Sequence, residues 1–213
     1  MMQLHYFPSN ASMTPHVLLE ELGVPYERVL VDRHAGAHRS PAYLALNPNG
    51  KIPVLVDGDL VLYETAAIVL HLVDTHPQAG LAPAVGGTER AVFYKWLMWL
   101  SNTLQAEMPL YFYSDRWADG AEGTAAVKRH AEAHIAGMVD QLEGEFARHG
   151  GPWFLGERYS ALDPYLFMLC RWTRGMARPA RTLPHLGPYL QRMLARPAVQ
   201  RVIAHEGLAE PYV

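Results

Sequence analysis

Asn47-Pro48-Asn49-Gly50-Lys51-Ile52-Pro53-Val54-Leu55, followed by Glu64-Thr65 at the head of an apolar helical pattern, is the stretch whose reading decides the fold. Pro-Asn-Gly is a turn signal, in which Gly50 supplies a positive φ at no steric cost. Ile52 to Val56 is short, apolar and rich in β-branched residues, which reads as a buried strand. Pro53 cannot donate to a sheet ladder and belongs at an edge or a bend. An X-Pro bond that turns the chain into a strand is also a place for a cis peptide. With Ile52-Pro53 cis, the backbone groups of Val54 would face outwards, open to a peptide-like ligand. Val56 to Leu62 reads as a hairpin around Asp57-Gly58. Tyr63 to Leu72 then opens a helix with apolar residues at helical spacing. A helix N-terminus attracts carboxylates through its unpaired N–H groups and positive potential. Glu64 beside it would pair with an ammonium, so the two together suit a zwitterionic amino-acid group.

Outward from this stretch, Gln3 to Phe7 alternates and reads as a first strand. The polar loop Pro8 to Pro15 feeds a helix from His16 to Leu22, with Thr14 as its N-cap, Pro15 in its first position and Gly23 as its stop. Pro25 to Val31 alternates as a second strand, so the chain opens on a strand–helix–strand unit. A short helix is expected around Pro41 to Leu46. His76 to Gly87 is rich in Pro and Gly and marks a domain boundary. Everything beyond it is helical in pattern. One long helix is expected from Glu89 through Ala106 and a second from Glu122 to Arg148. A capping box, Ser160-Ala161-Leu162-Asp163, heads an apolar helix, in which Pro164 removes a backbone donor. Two shorter helices near Leu186–Leu194 and Ala198–His205 close the chain. The domains are therefore 1–78, a linker over 79–87, and 88–213.

Composition excludes several classes. The 213 residues carry a formal net charge of −3, half of them are apolar and 18% are charged. This is an ordinary globular balance with no basic field for nucleic acid or anionic membrane. The single cysteine, Cys170, cannot form an intramolecular disulfide or a Cys-x-x-Cys centre, and its place in an apolar helix reads as core. No metal motif is read among the eleven histidines. No apolar run approaches membrane-spanning length and no leader pattern is present, so a cytoplasmic location is expected.

The Asn47–Leu55 motif with Glu64-Thr65 resembles the glutathione-binding half of the cytosolic glutathione transferases. The later segment Trp153 to Asp163 is similar to that family's structural capping segment. Arg171-Trp172 and Tyr189 to Val199 look most like bacterial, beta-type members. The resemblance spans essentially the whole chain. It implies an α/β thioredoxin-like N-terminal domain followed by an all-α helical-bundle C-terminal domain, and a homodimer. The implied activity is detoxifying conjugation of glutathione to a small hydrophobic electrophile, with glutathione as co-substrate and no metal or other cofactor. A glutathione-dependent reductase or peroxidase, and a non-catalytic binding protein with the same fold, stand as alternatives.

The implied chemistry needs a donor at the glutathione sulfur, because a free thiol near pKa 8.5 is mostly protonated at neutral pH. The loop after the first strand supplies the candidates. Where beta-type members usually carry cysteine, this chain has Ala11, so a mixed disulfide at that place is unavailable. Ser12 is the first choice of donor and Asn10 the second, with Ser9 and Tyr6 beside them. For the rest of glutathione, Glu64 and Thr65 are expected at the γ-glutamyl end and Val54, after Ile52 and Pro53, along the cysteinyl backbone. His38, Arg39 and Lys51 are expected at the glycyl carboxylate. Gln105 lies near where beta-type members carry a site histidine. Tyr113 and Trp117, in the aromatic run Met108 to Trp117, are candidates to line the electrophile pocket.

Overall fold

The computed structural model describes residues 1–213. The chain divides into two compact units, Met1–Ala84 with Met193–Glu210, and Val85–Arg192 with Pro211–Val213.

The first unit begins with β1 (Met2–Tyr6), α1 (Met13–Leu22) and β2 (Tyr26–Leu30). A short helix α2 (Pro41–Leu46) leads to the hairpin β3 (Val54–Asp57) and β4 (Leu60–Tyr63), and α3 (Thr65–Thr75) follows. The sheet order is β2-β1-β3-β4, with β1 parallel to β2 and antiparallel to β3. This is the thioredoxin-like layout, and its core comes from β1, β3, α1 and α3: Leu4, Val17, Leu18, Leu55, Ile68 and Leu72 are all essentially inaccessible. Gly58 turns the β3–β4 hairpin at φ 61°.

The start of α1 differs from the sequence expectation. The helix begins at Met13 with Ser12 in the N-cap position, so Thr14 and Pro15 lie inside the first turn rather than capping it. The cause is local: the preceding loop is itself wound into turns, with the Asn10 N–H donating to the Phe7 carbonyl at 3.2 Å and the Met13 N–H to the Asn10 carbonyl at 3.0 Å. Pro15 still sits where a missing N–H costs nothing.

The second unit is helical. It contains α4 (Thr88–Trp99), α5 (Gln105–Phe112), α6 (Gly120–His149) and α7 (Leu162–Trp172), and most of α8 (Leu186–Leu194). The single long helix expected over Glu89–Ala106 is interrupted, because Leu100–Leu104 winds as a π-helix. Such turns re-space a helix locally, and here Pro109 inside α5 also withholds the N–H that would bond the Gln105 carbonyl. Pro164 proves harmless, since α7 starts at Leu162 and leaves Pro164 in the first turn, where the N–H has no intrahelical partner anyway. Asp163 reaches back to the Ser160 N–H at 2.7 Å and also accepts from the Phe154 N–H at 2.9 Å, while Ser160 Oγ accepts from the Leu162 N–H at 3.3 Å.

The last helix, α9 (Pro197–His205), belongs with the first unit, not with the helices that precede it. Sequence order alone had grouped it with residues 88–213. Its contacts with α1 explain the difference: Arg196 makes a bidentate pair with Glu21, at 2.6 and 2.9 Å, and Arg201 holds Glu20.

Candidate active site

Strand register brings four connections to one end of the sheet. Tyr6 lies opposite Leu30 in the parallel pair, His5 opposite Val54, and Val54 opposite Tyr63. The segments after Tyr6, after Leu30, before Val54 and after Tyr63 therefore leave the sheet on the same side. These carry Ser9, Asn10 and Ser12; His38 and Arg39; Lys51, Ile52 and Pro53; and Glu64 and Thr65. Phe7, from the first of them, packs on the cluster of Val31, Tyr43, Ile52 and Val54.

The loop Phe7–Ser12 is tightly specified. Ser12 is fully buried, and its hydroxyl donates to the Phe7 carbonyl at 3.1 Å while accepting from the Phe7 N–H at 3.3 Å. Its one proton is thus committed inside the loop. Asn10 is half-buried, and its Oδ1 accepts from the Ala11 N–H at 2.7 Å. That leaves the Asn10 amide NH₂ as a donor not used by this bond. Ser9 has a left-handed backbone, φ 60°, and its N–H donates to Glu206 at 2.9 Å. The other oxygen of Glu206 meets Nδ1 of the buried His16 at 2.8 Å. Tyr6 is half-buried, with its ring 5.8 Å from that of His16.

The Asn47–Pro53 turn is held as firmly. The Asn47 side chain accepts from the Asn49 N–H at 3.0 Å and donates to the Lys51 carbonyl at 2.8 Å, and the Tyr43 hydroxyl donates to the same carbonyl at 2.7 Å. Burial pushes the Tyr43 phenol above its ordinary range, so it stays a donor. Gly50, at φ 59°, lies so close to the His38 backbone that a β-carbon would stand 3.0 Å from its carbonyl oxygen. The Lys51 side chain is left exposed, as is Arg39, while His38 is half-buried. The Ile52-Pro53 peptide is cis, and Ile52, Pro53 and Val54 are all buried.

Glu64 sits in the N-cap position of α3 with φ 72° and ψ 112°, and no side chain caps the helix. A non-glycine residue held at positive φ costs about 1–3 kcal/mol and is found where the surroundings impose it, commonly at functional sites. The Glu64 side chain is exposed, whereas Thr65 is 5% exposed. An exposed carboxylate beside uncapped N–H groups is a two-signed pair, able to hold both charges of a zwitterion.

Gln105, Tyr113 and Trp117 all lie in the second unit. Gln105 Oε1 accepts from the Tyr165 hydroxyl, so its amide NH₂ remains as donor. Tyr113 is half-buried under the Arg116 guanidinium, 4.3 Å from its ring centre, and Trp117 is 61% exposed. Cys170 is core: burial pushes its thiol far above the usual range and keeps it protonated. The two residues that no sequence signal pointed to are His16 and Glu206, which stand 190 positions apart and tie the loop to the end of α9.

A thioredoxin-like α/β unit whose loops converge on one sheet end, followed by a helical unit, defines the class of protein. The sequence profile of the glutathione S-transferase N-terminal domain matches residues 2–74, and that of the C-terminal domain matches residues 115–202. Glutathione S-transferase GST-4.5 of Xanthomonas campestris is 30% identical over 207 residues, covering 97% of this chain and all of its own. Glutathione S-transferase 3 of Zea mays is 34% identical, covering 91% of this chain and 89% of its own. Among solved structures, a sphingomonad glutathione S-transferase complexed with glutathione superposes with a TM-score of 0.83 at 30% identity, covering 97% of this chain and all of that one. The chain belongs to the glutathione S-transferase family, and its structural neighbours include a bacterial beta-class member from Sphingomonas chungbukensis.

Proposed function

We propose that this protein conjugates glutathione to a small hydrophobic electrophile by thiolate attack, using the converged sheet end as the glutathione site. In chain order the glutathione-binding segment is 1–78 and the helical segment 88–213, joined by 79–87, with α9 of the second segment belonging structurally to the first unit. Glu64 takes the γ-glutamyl ammonium and the Thr65 end of α3 its carboxylate. The Val54 backbone, after Ile52 and Pro53, pairs with the cysteinyl part, and Lys51, His38 and Arg39 attract the glycyl carboxylate. Tyr113 and Trp117 serve the electrophile, and Gln105 takes a substrate-binding place near where beta-type members carry a site histidine. The enzyme works as a cytoplasmic homodimer without a cofactor.

The observation that carries this reading is the pairing of the strained Glu64 and the uncapped α3 with the Phe7–Ser12 loop at one sheet end. For the thiol donor, the commitment of the Ser12 proton to Phe7 favours Asn10, whose Oδ1 is taken by the Ala11 N–H while its NH₂ is left as a donor. Ser12 then acts by holding the loop, with Ser9 and Tyr6 flanking the sulfur. Lowering a thiol pKa by such a donor increases the thiolate fraction at neutral pH without a covalent step on the protein.

An ultraviolet difference titration with glutathione near neutral pH tests the assignment, since it reads binding and thiolate formation together. The wild type should give a saturable thiolate signal. Asn10→Ala should lose that signal while still binding glutathione. Ser12→Ala should keep it, at a cost of about 1 kcal/mol in stability for the lost loop hydrogen bond. The reverse pattern returns the role to Ser12, and a wild type that does not bind glutathione ends the transferase reading.

A further inference from the structure

Beside the loop, but outside the residues assigned to glutathione, α1 and α9 bring three ligand-capable side chains together. One ligand atom from each of His16, Glu20 and His205 lies within 4.8 Å of the other two. His16 and Glu20 are four residues apart on α1 and so share a helix face. His205 is the last residue of α9, with its ring nearly parallel to that of His16, 14° between planes at 5.9 Å.

The His16 ring is the second observation. It is completely buried, and its Nδ1 is taken by Glu206 at 2.8 Å. A carboxylate accepts, so Nδ1 carries the proton, which in the neutral form of the ring places the lone pair on Nε2. Nε2 is buried and has no hydrogen-bond partner. A buried acceptor with nothing to accept from is costly, and a carboxylate fixing the far nitrogen of an imidazole is the outer arrangement that metal-bound histidines show. Glu20 Oε1 accepts from the Tyr26 hydroxyl at 2.6 Å and keeps a second lone pair, while Oε2 takes Arg201. That same Oε1 stands 3.6 Å from His205 Nδ1, close to the roughly 3.4 Å edge of a tetrahedron with ~2.1 Å bonds.

We infer that His16 Nε2, Glu20 and His205 form a binding site for one divalent transition ion of the zinc class, with two imidazoles and one carboxylate as ligands. The donor set suits zinc and its first-row neighbours rather than magnesium or calcium, which want oxygen. Arg28 and Arg201 flank the site, Arg28 donating to the His205 carbonyl at 3.1 Å. They weaken cation binding, so the expected affinity is micromolar rather than structural-zinc tight. The ion would clamp α9 to α1, the helix that follows the Phe7–Ser12 loop. The inference stands apart from the glutathione assignments.

The chain also carries His34 and His38, and His130 and His134, at four-residue spacing. The second pair lies on α6 with rings 4.1 Å apart, and this exposed pair is the natural competitor. The test is calorimetric titration of Zn²⁺ into tag-free, chelator-stripped protein without glutathione, with Co²⁺ absorption reporting coordination geometry. Wild type should take up Zn²⁺ at the α1–α9 site and show tetrahedral Co²⁺ bands. His205→Ala, at a partly exposed helix end, should fold normally and lose at least tenfold in affinity together with those bands. His130→Gln/His134→Gln should leave both unchanged. Zinc uptake that survives His205→Ala and disappears in the α6 double variant overturns the inference, as does no uptake at all by the wild type.

Discussion

Glu64 shows most directly how a single residue departs from what its backbone prefers. Its φ of 72° is imposed where β4 passes into α3, a positive φ that glycine, lacking a β-carbon, tolerates better than glutamate. The residue is retained in a conformation that costs stability, and its exposed carboxylate forms no cap to its own helix. Stability and ligand binding should therefore move in opposite directions. Glu64→Gly is expected to raise the unfolding free energy by about 1 kcal/mol, measured by urea denaturation. The same variant should bind glutathione at least tenfold more weakly, about 1.4 kcal/mol. Unchanged affinity in Glu64→Gly would remove the ammonium from this position. Ser12 teaches the converse lesson. Its residue type suits a thiol donor, yet a hydroxyl has one proton, and burial against Phe7 decides where that proton goes.

Among the elements, α8 is held by a cap that comes from another helix. Glu143 on α6 accepts from the His185 and Leu186 N–H groups, each at 2.9 Å, and from the His185 ring at 2.7 Å. Burial acts to raise its carboxyl pKa, but the Leu186 N–H and the His185 ring and N–H together hold it below the usual range. The unfolded carboxyl titrates near about 4.3. With the folded value depressed, the stabilisation is complete above the unfolded value and is lost as pH falls through the folded one. Glu143→Gln should cost about 1 kcal/mol at neutral pH and flatten the acid limb of the stability curve below about pH 4. A thermal melting series across pH in both proteins checks it, and parallel acid limbs would count against the cap. No sequence signal exposed this cap, because its two halves lie some forty positions apart. The Asp163 cap was legible because its partners are neighbours in the chain.

For the whole molecule, the homodimer that the family resemblance implies is the property to test. Leu60 and Val61 on β4 are 42% and 38% exposed, and Tyr94 and Met98, one helical turn apart on α4, are 38% and 40% exposed. Single exposed apolar side chains are ordinary, whereas contiguous apolar patches mark association surfaces, so measurement decides whether these side chains are covered in solution. Sedimentation at micromolar concentration is expected to give twice the 23.8 kDa chain mass. Met98→Asp should shift the distribution towards the single chain, whereas a monomeric wild type would refute the homodimer.

The sequence by itself determined the order of elements, the Asn47–Val54 turn with its proline, the Asp57-Gly58 hairpin, the Ser160–Asp163 cap and the family resemblance. Each of these rests on local rules: positive φ for glycine, a missing N–H for proline, an apolar period, a cap within one turn. The tertiary structure decided the rest. It put α9 with the first unit, committed the Ser12 proton to Phe7, engaged the Asn10 Oδ1 with the Ala11 N–H, and set His16 between Glu206, Glu20 and His205. Those outcomes depend on which groups meet after packing, and hydrogen-bond capacity, being finite at every atom, is allocated only when they do.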